Sequence, residues 1–170
     1  GQVGAQTAGP GVVTEGNEIN NVVAHDIVLP AYPDLSISNP VLGTVSENQD
    51  GTFYVPVTFT VTNLTSTPAQ PSWSDYGYLS ANGVLDTSSI AMGANQRNAV
   101  LAGNGTYNVN KTFVSSAAPG SYTLFLKTDG ALGASLNGPG QLAEGSEANN
   151  TTSLSVVLPT YPDLAVSNVS

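Results

Sequence analysis

The sequence predicts an all-β protein, and two observations carry this prediction. No stretch of the 170 residues has the apolar periodicity of an amphipathic helix, whereas β-branched residues between Gly, Pro and Asn turns recur about every 8–12 residues. The segment Thr52–Asn63 alternates apolar and hydroxyl side chains, as in an antiparallel sheet with one buried and one wet face. Together these patterns predict a seven-stranded antiparallel sandwich of the immunoglobulin or fibronectin type III kind.

Seven segments carry the strand pattern and end in turn signals. We expect strands at residues 34–45, 52–63, 74–81, 86–92, 98–114 (with a break at Gly103–Gly105), 120–128 and 151–158. Alternation in the second and sixth strands predicts the core side chains, which are Val55, Val57, Phe59, Val61, Tyr122, Leu124 and Leu126. The Gly-rich residues 130–150 separate the last two strands, and a loop of this length is expected to be functional or disordered.

The two ends of the chain repeat each other. Residues 1–41 overlay residues 130–170 without a gap, at a shift of 129 positions, and 20 of those 41 positions are identical. The shared text includes an acidic phrase, EGNEINN in the first copy and EGSEANN in the second, and each copy is followed by YPDL. A gapless period of this length indicates tandem whole domains, each with its own core.

The period sets the expected domain bounds. Residues 1–33 are expected to be the tail of a preceding repeat, residues 34–158 a complete domain, and residues 159–170 the linker and the start of the next repeat. The tail contains a spare copy of the last strand, Asn21–Pro30. We expect it to form a strand outside its own repeat, paired with a neighbouring chain or with the edge of the domain.

Composition excludes several functions. Only 9% of residues are charged and the net charge is -9, so no basic patch exists to bind nucleic acid or anionic lipid, and cations are favoured as partners. The absence of cysteine excludes zinc ribbons, thiol catalysis and disulfides. The sequence contains no run of 18 apolar residues, so it predicts no membrane-spanning helix. The neutral, hydroxyl-rich composition is common in extracellular bacterial repeat proteins.

The order of several phrases resembles a known family. PDLSISNP, VPVTFTVTNLTSTPA, GYLSANG, LAGNGTYNV, APGSYTLFLKTD and EGSEANN follow one another as in CARDB, the cell-adhesion-related domain found in bacteria and archaea. The resemblance covers Pro33 to about Leu158. It implies a sandwich fold in secreted or cell-surface proteins, often in tandem, without catalytic activity. The insertion at Gly130–Leu142 departs from the family, which usually has a short turn there.

Catalytic chemistry finds little support in the sequence. The single histidine, His25, is replaced by Leu154 in the second copy, so we interpret it as incidental. Without further His or Cys, neither a histidine-based triad nor a zinc site can be built. We therefore expect the protein not to be an enzyme.

The acidic phrase has two interpretations. Its hard oxygen ligands, with those of neighbouring acids, could bind Ca²⁺, which takes six to eight oxygens, and calcium at a junction would hold consecutive domains in a stiff rod. The candidate ligands are Asp129, Glu144, Glu147, Asn149 and Asp163, with Glu15, Glu18, Asn20 and Asp34 from the first copy and its junction. Alternatively, the Asn side chains satisfy turn backbone groups while the carboxylates are solvated. We also expect each phrase to lie at a domain end, close to the YPDL that follows it.

Two further signals remain open. The aromatic residues Trp73, Tyr76 and Tyr78 could stack on sugar rings, although such residues more often belong to the core or rim of a sandwich. Six N-x-Ser/Thr sequons matter only in a host that glycosylates them. They begin at Asn63, Asn104, Asn110, Asn149, Asn150 and Asn168.

Two functions follow from these patterns. The first is a structural spacer repeat of a bacterial or archaeal surface adhesin or extracellular filament, whose partners are neighbouring copies and whose array displays a distant head for a glycan or protein receptor. The alternative is a carbohydrate-binding accessory module of a secreted enzyme. Long runs of near-identical copies favour the spacer, and a neighbouring hydrolase domain favours the module.

Overall fold

The computed structural model describes residues 23–130, 136, 138–165 and 167. The chain divides into two compact units, residues 1–30 and 31–170. Of the first unit only residues 23–30 are described; they are exposed and form no strand. The strand predicted at Asn21–Pro30 is therefore not found over residues 23–30. Pairing with a neighbouring chain stays a prediction.

The second unit is all-β over its described residues and contains eight strands. Their bounds are β1 Leu35–Leu42, β2 Ser46–Glu47, β3 Phe53–Asn63, β4 Trp73–Ser80, β5 Ile90–Arg97, β6 Thr106–Ser115, β7 Gly120–Lys127 and β8 Thr151–Leu158. No helix long and apolar enough to cross a membrane occurs among the residues described.

The strands form two antiparallel sheets. In the first sheet the long strand β3 pairs with β6 on one side, and with β1 and then the short β2 on the other. In the second sheet the order is β5-β4-β7-β8. Strands β1 and β8 meet across the two sheets on one side, and β5 and β6 meet on the other. The arrangement is that of a β-sandwich.

The core lies between the sheets and follows the predicted alternation. Side chains from β1, β3 and β6 of one sheet and from β4, β5, β7 and β8 of the other fill it, and Phe59 of β3 is only 2% exposed. The predicted core residues are confirmed as buried, except that Tyr122 is half-buried at the margin. Complete burial of a phenylalanine contributes about 2–3 kcal/mol, so these residues carry much of the stability.

Several strand boundaries differ from the prediction, including the end of β5, which lies at Arg97 rather than at 92. Strand β2 was not predicted; β1 leaves the sheet after Leu42, and the chain then returns beside Tyr54. Strand β5 begins at Ile90 rather than at 86, because Asp86 caps a turn by accepting hydrogen bonds from the backbone and hydroxyl of Ser88 (2.8 and 2.6 Å). Strand β6 begins only at Thr106 because a tight turn precedes it.

Candidate functional site

The chain enters and leaves the domain at opposite ends. Strand β1 begins beside Asn63, the last residue of β3, and we call this the proximal end. Strand β8 also begins at the proximal end, where the Asn149 carbonyl accepts from the N–H of Ile37, and the chain beyond it reaches Phe53, the first residue of β3, at the distal end. Because β3 has 11 residues, the two ends are about 35 Å apart.

The second acidic phrase lies at the proximal end and holds the chain that enters the domain. The amide of Asn149 donates to Oδ1 of Asp34 (3.0 Å), and the backbone N–H of Gly145 donates to the carbonyl of Pro33 (2.9 Å). The Asn149 carbonyl also accepts from the N–H of Ile37 in β1 (3.2 Å). The phrase thus contacts the YPDL that precedes the domain.

The expectation that the phrase lies near the following YPDL is therefore wrong. Strand β8, of eight residues, separates Asn150 from Tyr161, and an extended strand of that length spans about 26 Å. Asp163 is exposed beyond the distal end, so it cannot share a site with Glu144. Its repeat equivalent, Asp34, indicates that Asp163 belongs to the start of the next repeat.

Inside the phrase, the fully buried Asn150 joins the two acids. Its Nδ2 donates to Oε2 of Glu144 (2.7 Å) and to Oε2 of Glu147 (3.1 Å). Its backbone carbonyl accepts from the N–H of Thr128 at the end of β7 (2.9 Å). The asparagine therefore stabilises the loop through side-chain bonds to carboxylates, a role that the simple turn interpretation did not include.

Asp129 is buried and bound by a different part of the loop. Its two carboxylate oxygens accept from the backbone N–H groups of Gln141 (2.9 Å) and Leu142 (2.8 Å). It has a positive φ of 46°, and Gly140 packs so closely against it that any side chain there would collide. Asp129 thus fixes the long loop to the end of β7.

The electrostatics of this end are unusual. Burial raises the pKa of Glu144 to about 8, opposed by the hydrogen bond from Asn150 and reinforced by the charges of Asp129 and Glu147. Burial likewise raises the pKa of Asp129. The buried ammonium of Lys127 donates to the carbonyls of Leu136 (2.8 Å) and Gly138 (2.9 Å), and burial lowers its pKa against the attraction of the three carboxylates.

Three oxygens in the phrase are buried without a hydrogen-bond donor in the described part of the chain. They are Oε1 of Glu144, Oδ1 of Asn149 and Oδ1 of Asn150. Among the described residues, however, no group of three or more His, Cys, Asp or Glu side chains is arranged to hold a metal ion. The remaining predicted ligands, Glu15, Glu18 and Asn20, lie outside the described residues.

The distal end has an aromatic contact. The ring of Tyr161 stacks on Phe53 with centroids 5.7 Å apart and an interplanar angle of 18°. Its hydroxyl donates to the carbonyl of Gly51 (3.2 Å). Tyr32, the equivalent residue at the start of the domain, is 62% exposed. Tyr161, which follows β8 and is 46% exposed, therefore docks on the distal end of the domain.

The predicted sugar platform is wrong for two of its three residues. Trp73 and Tyr78 are fully buried, and only Tyr76, stacked on Tyr78 at 5.7 Å, remains partly accessible. Trp73 faces the core between the sheets, whereas Tyr78 lies on the other face of β4, in a second buried cluster with Leu85 and Leu136. Trp73 donates its indole N–H to the hydroxyl of Tyr107 (3.1 Å).

A buried carboxylate beside these rings was not predicted. Asp75 accepts from the hydroxyls of Tyr107 (2.9 Å) and Thr128 (2.7 Å) and from Nδ2 of Asn95 (3.3 Å). Burial raises its pKa, although these hydrogen bonds and the charge of Arg97 lower it. Alternation could have identified it, since Asp75 shares its face of β4 with Trp73.

Comparison with known proteins does not identify a family for this chain. No protein-family model matches the chain, and no curated protein matches it. One solved structure, described as the X-ray structure of Northeast Structural Genomics Consortium target SoR45, is 15% identical and aligns with a TM-score of 0.38. The alignment covers 84% of this chain and 98% of that chain.

Proposed function

We propose that the domain is a non-catalytic spacer repeat of a tandem array in a bacterial or archaeal cell-surface adhesin or extracellular filament. The observation that carries the proposal is the position of the two junctions. The chain enters beside Asn63 and leaves beside Phe53, at opposite ends of the sandwich. Copies joined in this way follow one another head to tail, so that each added repeat lengthens the array.

The strand order supports a fibronectin type III-like topology within the CARDB-like family. Strands β1, β3 and β6 correspond to A, B and E, while β5, β4, β7 and β8 correspond to C′, C, F and G. The hydroxyl of Tyr122, near the start of β7, donates to the carbonyl of Ala118 (2.9 Å), as in the tyrosine corner of immunoglobulin-like sandwiches. The short β2 then continues the first strand after a break.

Two contacts support a stiff junction. Tyr161 docks on the distal end of its own repeat, and the phrase of the following repeat is expected to hold Pro162 and Asp163 as Gly145 and Asn149 hold Pro33 and Asp34. Prolines on both sides of Thr160–Tyr161 fix φ and favour extended geometry in the preceding residues. Few rotatable bonds are then left between successive domains.

Calcium belongs to the proposal as an added stiffener at the proximal end. Oε1 of Glu144 and Oδ1 of Asn149 and Asn150 support it, because they are buried acceptors without a short hydrogen bond among the described residues, and a cation would satisfy them. The backbone N–H of Leu35 also lies close enough to the Glu144 carboxylate to lower its pKa. The amide of Asn150 stands between two carboxylates, and rotation by 180° would present Oδ1 there instead of Nδ2. The hydrogen-bonded form is the alternative, in which Asn150 itself joins the two acids.

Strand donation is a second route to assembly with neighbouring copies. Ile27 and Leu29 correspond to Val156 and Leu158 of β8, which are 2% and 1% exposed, whereas Ile27 and Leu29 are 76% and 77% exposed. The segment therefore has the apolar alternation of β8 without a sheet to bury it. An exposed sheet edge of another copy would supply the missing partner.

The sequence of the complete gene tests the spacer proposal. We expect many copies at the 129-residue period that keep Asp34, Phe53 and Tyr161 or their equivalents. A single copy beside a hydrolase domain would contradict the spacer role and favour an accessory module.

A further inference from the structure

We propose that Asn104 is the acceptor of an N-linked glycan in the folded domain. The observation is that most of the described sequons have an asparagine whose amide is already hydrogen-bonded or that lies in a paired strand. Asn104, by contrast, lies in an exposed turn, and its amide makes no hydrogen bond within the described residues. The inference does not depend on the spacer role, because it rests only on the chemistry and accessibility of the asparagine side chains. Modification of Asn104 is expected wherever the folded protein is exposed to an enzyme that transfers N-linked glycans.

The chemistry sets what an acceptor must offer. The enzyme transfers an oligosaccharide from a lipid-linked diphosphate donor. Nδ2 of the asparagine forms a bond to the anomeric carbon and loses one proton, and the lipid diphosphate leaves. The enzyme also needs the hydroxyl of the Ser or Thr two residues after the asparagine, and an accessible backbone that it can bind. For this reason sequons indicate surface loops. An amide held in buried hydrogen bonds cannot react.

Asn63 fails this requirement. It is fully buried, and Nδ2 donates to the carbonyls of Thr67 (2.8 Å) and Ala102 (3.3 Å). Its Oδ1 accepts from the backbone N–H groups of Asp34 (3.2 Å) and Thr65 (3.3 Å). A glycan on Nδ2 would break the hydrogen bonds to Thr67 and Ala102, and the buried site has no space for it.

The paired sequons of the acidic phrase fail for the same reason. Nδ2 of Asn149 is bonded to Asp34, and Nδ2 of Asn150 is bonded to two glutamates. Asn150 is also fully buried. Asn110 is exposed, but it lies in the middle of β6, whose backbone is paired with β3 along its length. The sequon at Asn168 lies outside the described residues.

Asn104 meets the requirement. It is exposed in a tight turn closed by the hydrogen bond from the N–H of Gly105 to the carbonyl of Ala102 (3.0 Å), and its side chain makes no hydrogen bond within the described residues. Its φ of 57° is one that asparagine tolerates better than most residues. Thr106, which supplies the hydroxyl, is exposed at the start of β6.

The turn also lies beside the linker that enters the domain. The N–H of Asn104 donates to the carbonyl of Thr65 (2.8 Å), and the hydroxyl of Thr65 donates to the carbonyl of Tyr32 (3.2 Å). A glycan on Asn104 would therefore stand next to the chain between two repeats.

The test uses the folded 170-residue chain, a purified oligosaccharyltransferase and a lipid-linked oligosaccharide, with glycopeptides identified by mass spectrometry. Synthetic peptides containing each sequon show that the enzyme can use it when unfolded. We expect the glycan mass on Asn104 of the folded chain and none on Asn63, Asn149 or Asn150, although their peptides are modified. Asn104→Asp, which keeps the turn, and Thr106→Ala should lose the glycan, and Thr106→Ser should keep it.

Two results would overturn the proposal. One is an unmodified Asn104 in the folded chain when its own peptide is a substrate. The other is modification of Asn63 or Asn150 in the folded chain to the same extent as Asn104, because the fold would then make no selection.

Discussion

Tyr161 stacks on Phe53 at 5.7 Å, and its hydroxyl reaches the carbonyl of Gly51 (3.2 Å), so the linker tyrosine closes the distal end of the domain. Removing the ring in Tyr161→Ala uncovers Phe53, which is now fully buried. We expect a loss of about 1–2 kcal/mol in the free energy of unfolding, measured by urea titration. Tyr161→Phe should lose only the hydrogen bond, about 0.5–1 kcal/mol.

Tyr32 offers a matched control, since it occupies the equivalent position of the repeat and its side chain is 62% exposed. Tyr32→Ala should leave the urea midpoint unchanged. Equal losses from the two alanine variants would mean that the stacking contributes nothing specific.

Asn63 is the polar centre of the proximal end, and its replacement tests that role. The side chain joins the start of β1 to the turn before β6 through Asp34 and Ala102. Asn63→Ala removes the partner of the Asp34 N–H and of the Thr67 carbonyl, which are both partly buried, so we expect a loss of about 2–4 kcal/mol. Thermal unfolding checks this, with the exposed Asn110→Ala as control; a change within about 0.5 kcal/mol would contradict it.

The pH dependence of stability follows from Glu144. Its pKa is about 8 in the folded protein, against an ordinary value of 4.5, because burial and the charges of Asp129 and Glu147 outweigh the hydrogen bond from Asn150. A raised carboxyl pKa means that the folded state holds the proton more tightly than the unfolded state. This contribution is therefore complete below about pH 4.5 and is lost as the pH rises to about 8.

Glu144→Gln removes that titration. In metal-free buffer the variant should melt at the same temperature as the natural protein near pH 5, and about 3 °C or more above it near pH 8.5. Asp163→Asn, which changes an exposed acid, should melt at the same temperature as the natural protein at both pH values. A Glu144→Gln curve parallel to that of the natural protein would show that Glu144 ionises normally.

Calcium is tested by melting at two pH values. If the donor-free oxygens of the phrase bind the ion, millimolar calcium should raise the melting temperature by mass action, and more at pH 8 than at pH 5.5, where the protonated Glu144 cannot bind. Glu144→Gln should lose the increase, and Asp163→Asn should keep it. Identical curves in calcium and in chelator would reject the metal and leave the hydrogen bonds of Asn150 as the function of the phrase.

Sequence patterns could predict the sheets because alternation along a strand reports which face is buried. Thr52–Asn63 was predicted as a strand, and the structure has β3 at Phe53–Asn63. The strand boundaries near Asp86 and Asn104 were less predictable, because they depend on local turn hydrogen bonds. Pro56 illustrates the limit: proline favours an edge, yet β3 is central, and Pro56 lies where β1 has ended and β2 has not begun.

The candidate site was predictable in composition but not in geometry. Repetition identified Glu144, Glu147 and Asn150, yet the sequence placed the phrase beside the wrong junction. The reason is topological: β8 carries the chain along the whole domain before the next YPDL is reached. The roles of Asn63 and Asp75 were also missed, because a buried polar residue shows its partners only when distant strands come together.

The central claim is that repeats join head to tail in a stiff line. Its most direct test is small-angle X-ray scattering from proteins with one, two and three copies of the 129-residue period. Entry beside Asn63 and exit beside Phe53 predict that each copy adds a constant length of about 40–50 Å, from a strand layer of about 35 Å and a short linker. A maximum dimension that grows by less than about 20 Å per copy would mean that the domains pack side by side, and would contradict the account.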